Sequence, residues 1–94
     1  MSRYTFTGNR PTLRIIVGWD RPLCTLFTQV WDDAAPDAEH PTHWVGCDRE
    51  EITSAEELAR EIAAYGEIPA PILDCLGVDL VEAELEFYSS RARR

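Results

Sequence analysis

Residues 13–31 read Leu13-Arg14-Ile15-Ile16-Val17-Gly18-Trp19-Asp20-Arg21-Pro22-Leu23-Cys24-Thr25-Leu26-Phe27-Thr28-Gln29-Val30-Trp31. Two β-favouring runs flank a turn signal. In the first, Leu13, Ile15, Val17 and Trp19 recur at period two and so share one face of a strand. Asp20-Arg21-Pro22 interrupts it, because an aspartate favours turns and Pro22 blocks strand continuation. Leu23 to Trp31 then resumes, rich in β-branched and aromatic side chains. Two strands with so short a link predict an antiparallel hairpin.

The second strand is apolar on both sides. Cys24, Leu26, Thr28 and Val30 fall on one face, and Phe27, Gln29 and Trp31 on the other. Two readings follow. Helices or loops cover both faces, since a small domain needs every apolar group it has. Alternatively, Phe27 and Trp31 form an exposed patch for a partner, because aromatics are enriched at interfaces.

Outward from the hairpin, Tyr4-Thr5-Phe6-Thr7 reads as a further strand ending at the turn signal Gly8-Asn9. Asp32 to Thr42 is a polar loop holding Asp32, Asp33, Asp37 and Glu39 with Pro36 and Pro41. His43-Trp44-Val45-Gly46 is a candidate fourth strand, followed by the polar turn Asp48-Arg49-Glu50-Glu51. Ser54 with Glu57 three residues later forms a capping box, and Ala55, Leu58, Ala59, Ile62 and Tyr65 then share one helical face. Gly66 is expected to end that helix in the left-handed conformation. Pro69 and Pro71 reset the chain, and Ile72 to Leu76 reads as a short helix stopped by Gly77.

From Asp79 onward two patterns compete. Val81, Ala83, Leu85 and Phe87 alternate with Glu82, Glu84 and Glu86, as in a strand. Yet acids lead, arginines trail, and Glu, Ala and Leu favour helix, which is the assignment taken for residues 79–90. The expected fold is α+β: an antiparallel sheet of three or four strands with two or three helices packed on one face. At 94 residues the chain is expected to form one domain, 1–94, with a radius of gyration of about 12 Å.

Hydrophobic residues make up 45% of the chain, which excludes a wholly disordered or low-complexity polymer. No apolar run approaches the ~20 residues that span a bilayer, and Met1 to Asn9 lacks the apolar segment of a secretion signal. Cys24, Cys47 and Cys75 are odd in number and widely spaced, which suits reduced thiols. The expected location is cytoplasmic.

Chemistry has little support. His40, His43 and Cys47 form the only metal-like cluster, and even with Cys24 added the spacing is a weak zinc signal. Cys47 and His43 lie too far apart along an extended segment, about 13 Å, to form a nucleophile–base pair. No phosphate-cradling glycine motif is present. The expectation is therefore a protein that is not an enzyme, with no metal and no cofactor.

Charge is the informative feature. The chain totals -8, but residues 1–31 carry +3, residues 32–86 carry -14 and residues 87–94 carry +3. Phosphates and anionic membranes would be repelled by the middle, so neither is an expected direct partner. Fourteen charges match about 24 Å of duplex DNA, a length close to the domain's own diameter. That equivalence points to a basic protein surface as the partner.

The stretch Thr7-Gly8-Asn9-Arg10-Pro11, then Arg14-Ile15-Ile16-Val17-Gly18-Trp19-Asp20, Pro22-Leu23, Gln29-Val30-Trp31-Asp32 and Trp44-Val45-Gly46, resembles small uncharacterised proteins of proteobacterial plasmids and integrative elements. The resemblance covers most of residues 7–69 and ends after Gly77. It transfers no catalytic residue and implies a mobile-element setting. Anti-CRISPR inhibitors are among the small acidic proteins of such elements, a link of setting and charge only. The expected function is thus a non-enzymatic acidic binder that occludes a basic nucleic-acid groove on a host complex, such as a CRISPR effector. Glu50, Glu51, Glu56, Glu57 and Glu61 would supply carboxylates, and Trp31 or Trp44 aromatic contacts. The alternative is a self-associating structural or regulatory adaptor of the mobile element, using the Phe27/Trp31 face or a free strand edge.

Overall fold

The hairpin forms as the alternation predicts and is the centre of a four-stranded antiparallel sheet. Its strands are β1 (Tyr4–Thr7), β2 (Leu13–Asp20), β3 (Thr25–Asp32) and β4 (His43–Val45), adjacent in chain order. Two helices follow, α1 (Ala55–Ile62) and α2 (Ala70–Ala92), giving an α+β arrangement. The computed structural model describes residues 2–36 and 38–92, and of 87–92 the backbone alone. Asp37 of the acidic loop, the Phe87 side chain, and Arg93 and Arg94 thus lie outside the described residues.

Register decides the faces. Ile15 pairs with Val30, Val17 with Thr28 and Trp19 with Leu26, while Tyr4 and Phe6 sit beside Val17 and Ile15. This face meets both helices: Leu13, Ile15, Val17, Leu26 and Val30 form one buried cluster with Ile52, Leu58, Ile62, Ile68 and Leu76. The other face carries Arg14, Ile16, Gln29, Trp31 and Trp44 and has no helix on it.

Phe27 lies on that helix-free side and is nonetheless buried, at 6% exposure. Its ring lies against Gly18, directly across the register, where a side chain would collide with it. The covered reading therefore holds for Phe27, though not through a helix, and Trp31 is half-buried. No helix covers the pair, and Phe27 is not an exposed patch.

Three boundaries differ from expectation. Leu23 and Cys24 belong to the turn, not to the strand. Cys24 adopts φ +52° and its N–H donates to the Arg21 carbonyl at 3.2 Å, so pairing starts at Thr25. Gly66 is not left-handed: α1 closes on Ala63 in right-handed geometry. What Gly66 supplies is room, because a Cβ there would press on the Gly8 Cα and the Ile15 side chain. That close approach lets the Asn9 N–H donate to the Tyr65 carbonyl at 2.7 Å, docking the β1–β2 turn on the end of α1.

The third difference is the largest. Gly77 does not stop a helix; α2 runs unbroken through it for 23 residues. An interior glycine costs about 1 kcal/mol, which is less than the burial gained by docking Leu76 in the core with Ile72 and Leu80 packed beside it. The length also explains the shape. A 23-residue helix spans about 34 Å, more than an eight-residue strand at about 27 Å. The radius of gyration is accordingly 14.4 Å and the extents 52 × 25 × 17 Å, more elongated than the sequence estimate. Among the described residues, no helix is long and apolar enough to cross a membrane.

Candidate functional site

Burying one face of the sheet under the helices sorts the charge by layer. Residues 48–92, which hold both helices, carry twelve acids and three arginines, Arg49, Arg60 and Arg91. The sheet segment 2–47 carries Arg3, Arg10, Arg14 and Arg21 against Asp20, Asp32, Asp33, Asp37 and Glu39, close to balance. The candidate surface is therefore the helical layer.

The five carboxylates of interest do different work there. Glu50 is exposed at φ +54°, its N–H donating to the Leu23 carbonyl at 3.0 Å. Glu56 is exposed on the first turn of α1, where an acid suits the positive end of the helix dipole. Neither forms an ion pair among the described residues. Glu57 is half-buried beside the cap: its N–H donates to Ser54 Oγ at 3.2 Å, and its carboxylate accepts from the Thr53 and Ser54 hydroxyls at 3.3 and 3.4 Å. Glu61 meets His43 Nε2 at 3.3 Å, and the same imidazole rests against the Tyr65 ring.

Glu51 is a local fastener. Its carboxylate accepts from the Cys47 and Asp48 N–H groups at 3.1 Å each. Hydrogen bonds from the Gly46 and Asp48 backbone outweigh a smaller desolvation effect and hold its pKa below the ordinary glutamate value. A depressed native pKa adds stability at neutral pH that disappears as pH falls through it. Glu51→Gln should therefore lower the melting temperature at neutral pH, with the gap to wild type closing as pH falls below the ordinary glutamate range. Thermal scans across pH test this; an equal gap at both ends would remove the carboxylate's charge as the cause.

The tryptophans lie elsewhere. His43 and Val45 point to the helices, so Trp44 between them points away, at 54% exposure, across from Gln29. Trp31 shares that side, half-buried; its Nε1–H donates to Gln29 Oε1 at 3.1 Å and the Arg14 guanidinium sits 5.7 Å from its ring centre. The sheet thus separates Trp31 and Trp44 from Glu50, Glu51, Glu56, Glu57 and Glu61. One flat partner surface cannot meet both groups.

Among the described residues, no group of three or more His, Cys, Asp or Glu side chains is arranged to hold a metal ion. Cys47 is exposed, yet partial desolvation, reinforced by Glu51 and Asp48, pushes its thiol pKa up, the reverse of what activates a nucleophile.

A feature the sequence reading missed is an open cleft of about 530 Å³ between α2 and the β2–β3 turn. Trp19, Leu80 and Ala83 give it apolar walls, and Arg21, Arg49, Glu50, Glu84 and Glu86 rim it. Arg21 and Glu86 close one side as an exposed ion pair at 3.0 Å. With α2 read as ending at Gly77, no sequence signal joined these residues. No protein-family model, curated protein or solved structure matches the chain.

Proposed function

We propose that this chain is a non-enzymatic binding protein that docks its acidic helical layer onto a basic surface of a protein partner. Its most specific form is an inhibitor, carried by a mobile element, that occludes the nucleic-acid groove of a host complex such as a CRISPR effector. The observation that supports the reading is the sorting of charge along the chain: twelve acids and two arginines in residues 48–86, the segment whose helices pack on one face of a nearly neutral sheet. Such a layer steers encounter with a positive groove and makes binding steeply salt-dependent. Glu50 and Glu56 are the carboxylates best placed to meet a partner, because Glu51, Glu57 and Glu61 already serve internal contacts. The tryptophans are left out of this interface, since the sheet turns them the other way.

The test is displacement. Added protein should release labelled DNA from a purified CRISPR effector, with release suppressed by salt. The double variant Glu50→Arg/Glu56→Arg should bind at least about tenfold more weakly with an unchanged circular dichroism spectrum. No release by the wild type ends the inhibitor form; equal release by the variant removes this acidic surface from it. The other reading, a self-associating adaptor, loses the Phe27/Trp31 face, because Phe27 is buried.

A further inference from the structure

Past the core, α2 presents two different surfaces. Val78, Val81 and Leu85 lie bare, opposite the core-facing Ile72 and Leu76. Leu80, Ala83 and Glu84, at spacings of three and four, fall together on another side at about 100° per residue. They face Trp19 of β2 and the Arg49–Glu50 turn across the open cleft of about 530 Å³. That volume lies in the range of small-ligand sites, ~300–1,000 Å³.

The rim carries charge without a counterpart. Arg21 and Glu86 neutralise each other at 3.0 Å. Among the described residues, Glu50, Glu84 and Arg49 form no ion pair. Two free carboxylates against one guanidinium leave the cleft with a net negative charge. Its aromatic wall favours a guest of the same sign, because a cation is attracted to the face of an indole ring. The Leu80 and Ala83 walls favour a hydrocarbon stem behind that cation.

We propose that the cleft receives an arginine side chain of the basic protein partner, its stem along Leu80 and Ala83 and its guanidinium between Trp19 and the Glu50 and Glu84 carboxylates. The proposal rests on the docking reading of the acidic layer and names the residue type that anchors it. Arginine suits the cleft better than lysine. A flat, weakly hydrated guanidinium stacks on indole and engages a carboxylate through two parallel bonds, whereas an ammonium is a strongly hydrated point charge. The turn that carries Glu50 is already fixed by its N–H bond to the Leu23 carbonyl at 3.0 Å, so less ordering is needed on binding.

The probe is a capped Ala-Arg-Ala tripeptide, with lysine or glutamine in place of arginine as controls. In an NMR titration the arginine peptide should shift the Trp19 indole and Ala83 amide signals saturably. The glutamine peptide should not, and the lysine peptide should bind at least about threefold more weakly. Glu84→Gln, at an exposed position, should weaken arginine-peptide binding at least about threefold with an unchanged circular dichroism spectrum. Ala83→Trp, which fills the cleft, should abolish it. No saturable shift at Trp19 up to about 50 mM peptide overturns the site. So does an equal response to the glutamine peptide, or indifference to both substitutions. Equal binding of the lysine peptide overturns the choice of guanidinium. Effector displacement reads the docking separately: DNA release without a peptide shift overturns the arginine site and leaves the docking, and a peptide shift without release keeps the site and ends the inhibitor form.

Discussion

Gly46→Ala should lose about 3–5 kcal/mol of stability, a large part of what a domain of this size possesses. Gly46 is buried and sits at φ +89°, in the left-handed region where a side chain costs about 1–2 kcal/mol. Space is the second obstacle. A Cβ at this position would run into the Leu26 carbonyl oxygen and the Phe27 Cα, both on the backbone of β3. Neither can swing aside as a side-chain end would, so β4 or β3 must move. The next residues would move too, because Glu51 holds the Cys47 and Asp48 amides, and Ile52 joins β3 through its N–H to Thr25 Oγ1 at 2.8 Å and its carbonyl to the Leu26 N–H at 2.9 Å. Urea unfolding reads the loss directly, and a melting temperature lowered by about 15 °C or more is expected. A variant melting within a few degrees of wild type would mean that the segment after β4 relaxes without cost.

Leu76→Ala is the second. Leu76 is the one residue of α2 that is fully buried among those whose side chains are described, and it joins the cluster formed by Ile15, Leu58 and Ile62. Truncating it removes its burial and leaves a cavity, for about 2–5 kcal/mol. The effect should be local before it is global. Without Leu76, α2 keeps Ile72 and Leu80, both only half-buried, the Tyr4–Asp79 hydrogen bond, and the exposed Arg21–Glu86 pair, which is worth little. Hydrogen exchange should therefore show the amides of residues 72–86 losing protection ahead of those in β2 and β3. Uniform loss across sheet and helix would show instead that α2 is an inseparable part of the cooperative unit.

Much of the architecture was legible from local patterns. Strand alternation at Leu13–Trp19 and the Ser54–Glu57 cap each depend on neighbours within a few residues and appear where the pattern puts them, and the turn signalled at Asp20–Pro22 forms two residues later than expected at its far end, over 21–24. The helix taken for residues 79–90 is present, as part of α2, and its competing strand pattern has a physical reason. A helix with apolar stripes on opposite sides scatters its hydrophobic residues into near-alternation, which is why Val81, Ala83 and Leu85 imitate a strand. Gly77 misled because its propensity cost is real and is outweighed by a contact far away in sequence.

The candidate surface divides in the same way. Chain order alone established the quantity of acid and its crowding into the second half of the molecule, because charge is a sum over residues. It also established the hairpin and the first helix, which are built from short-range periodicity and capping. Only the tertiary structure decided that Trp44 and Glu56 look in opposite directions, that Glu51 and Glu57 are occupied with their own backbone and caps, and that one side of α2 is left bare. Those outcomes depend on strand register and on which helical face meets the sheet, and both are chosen by the packing of the whole core.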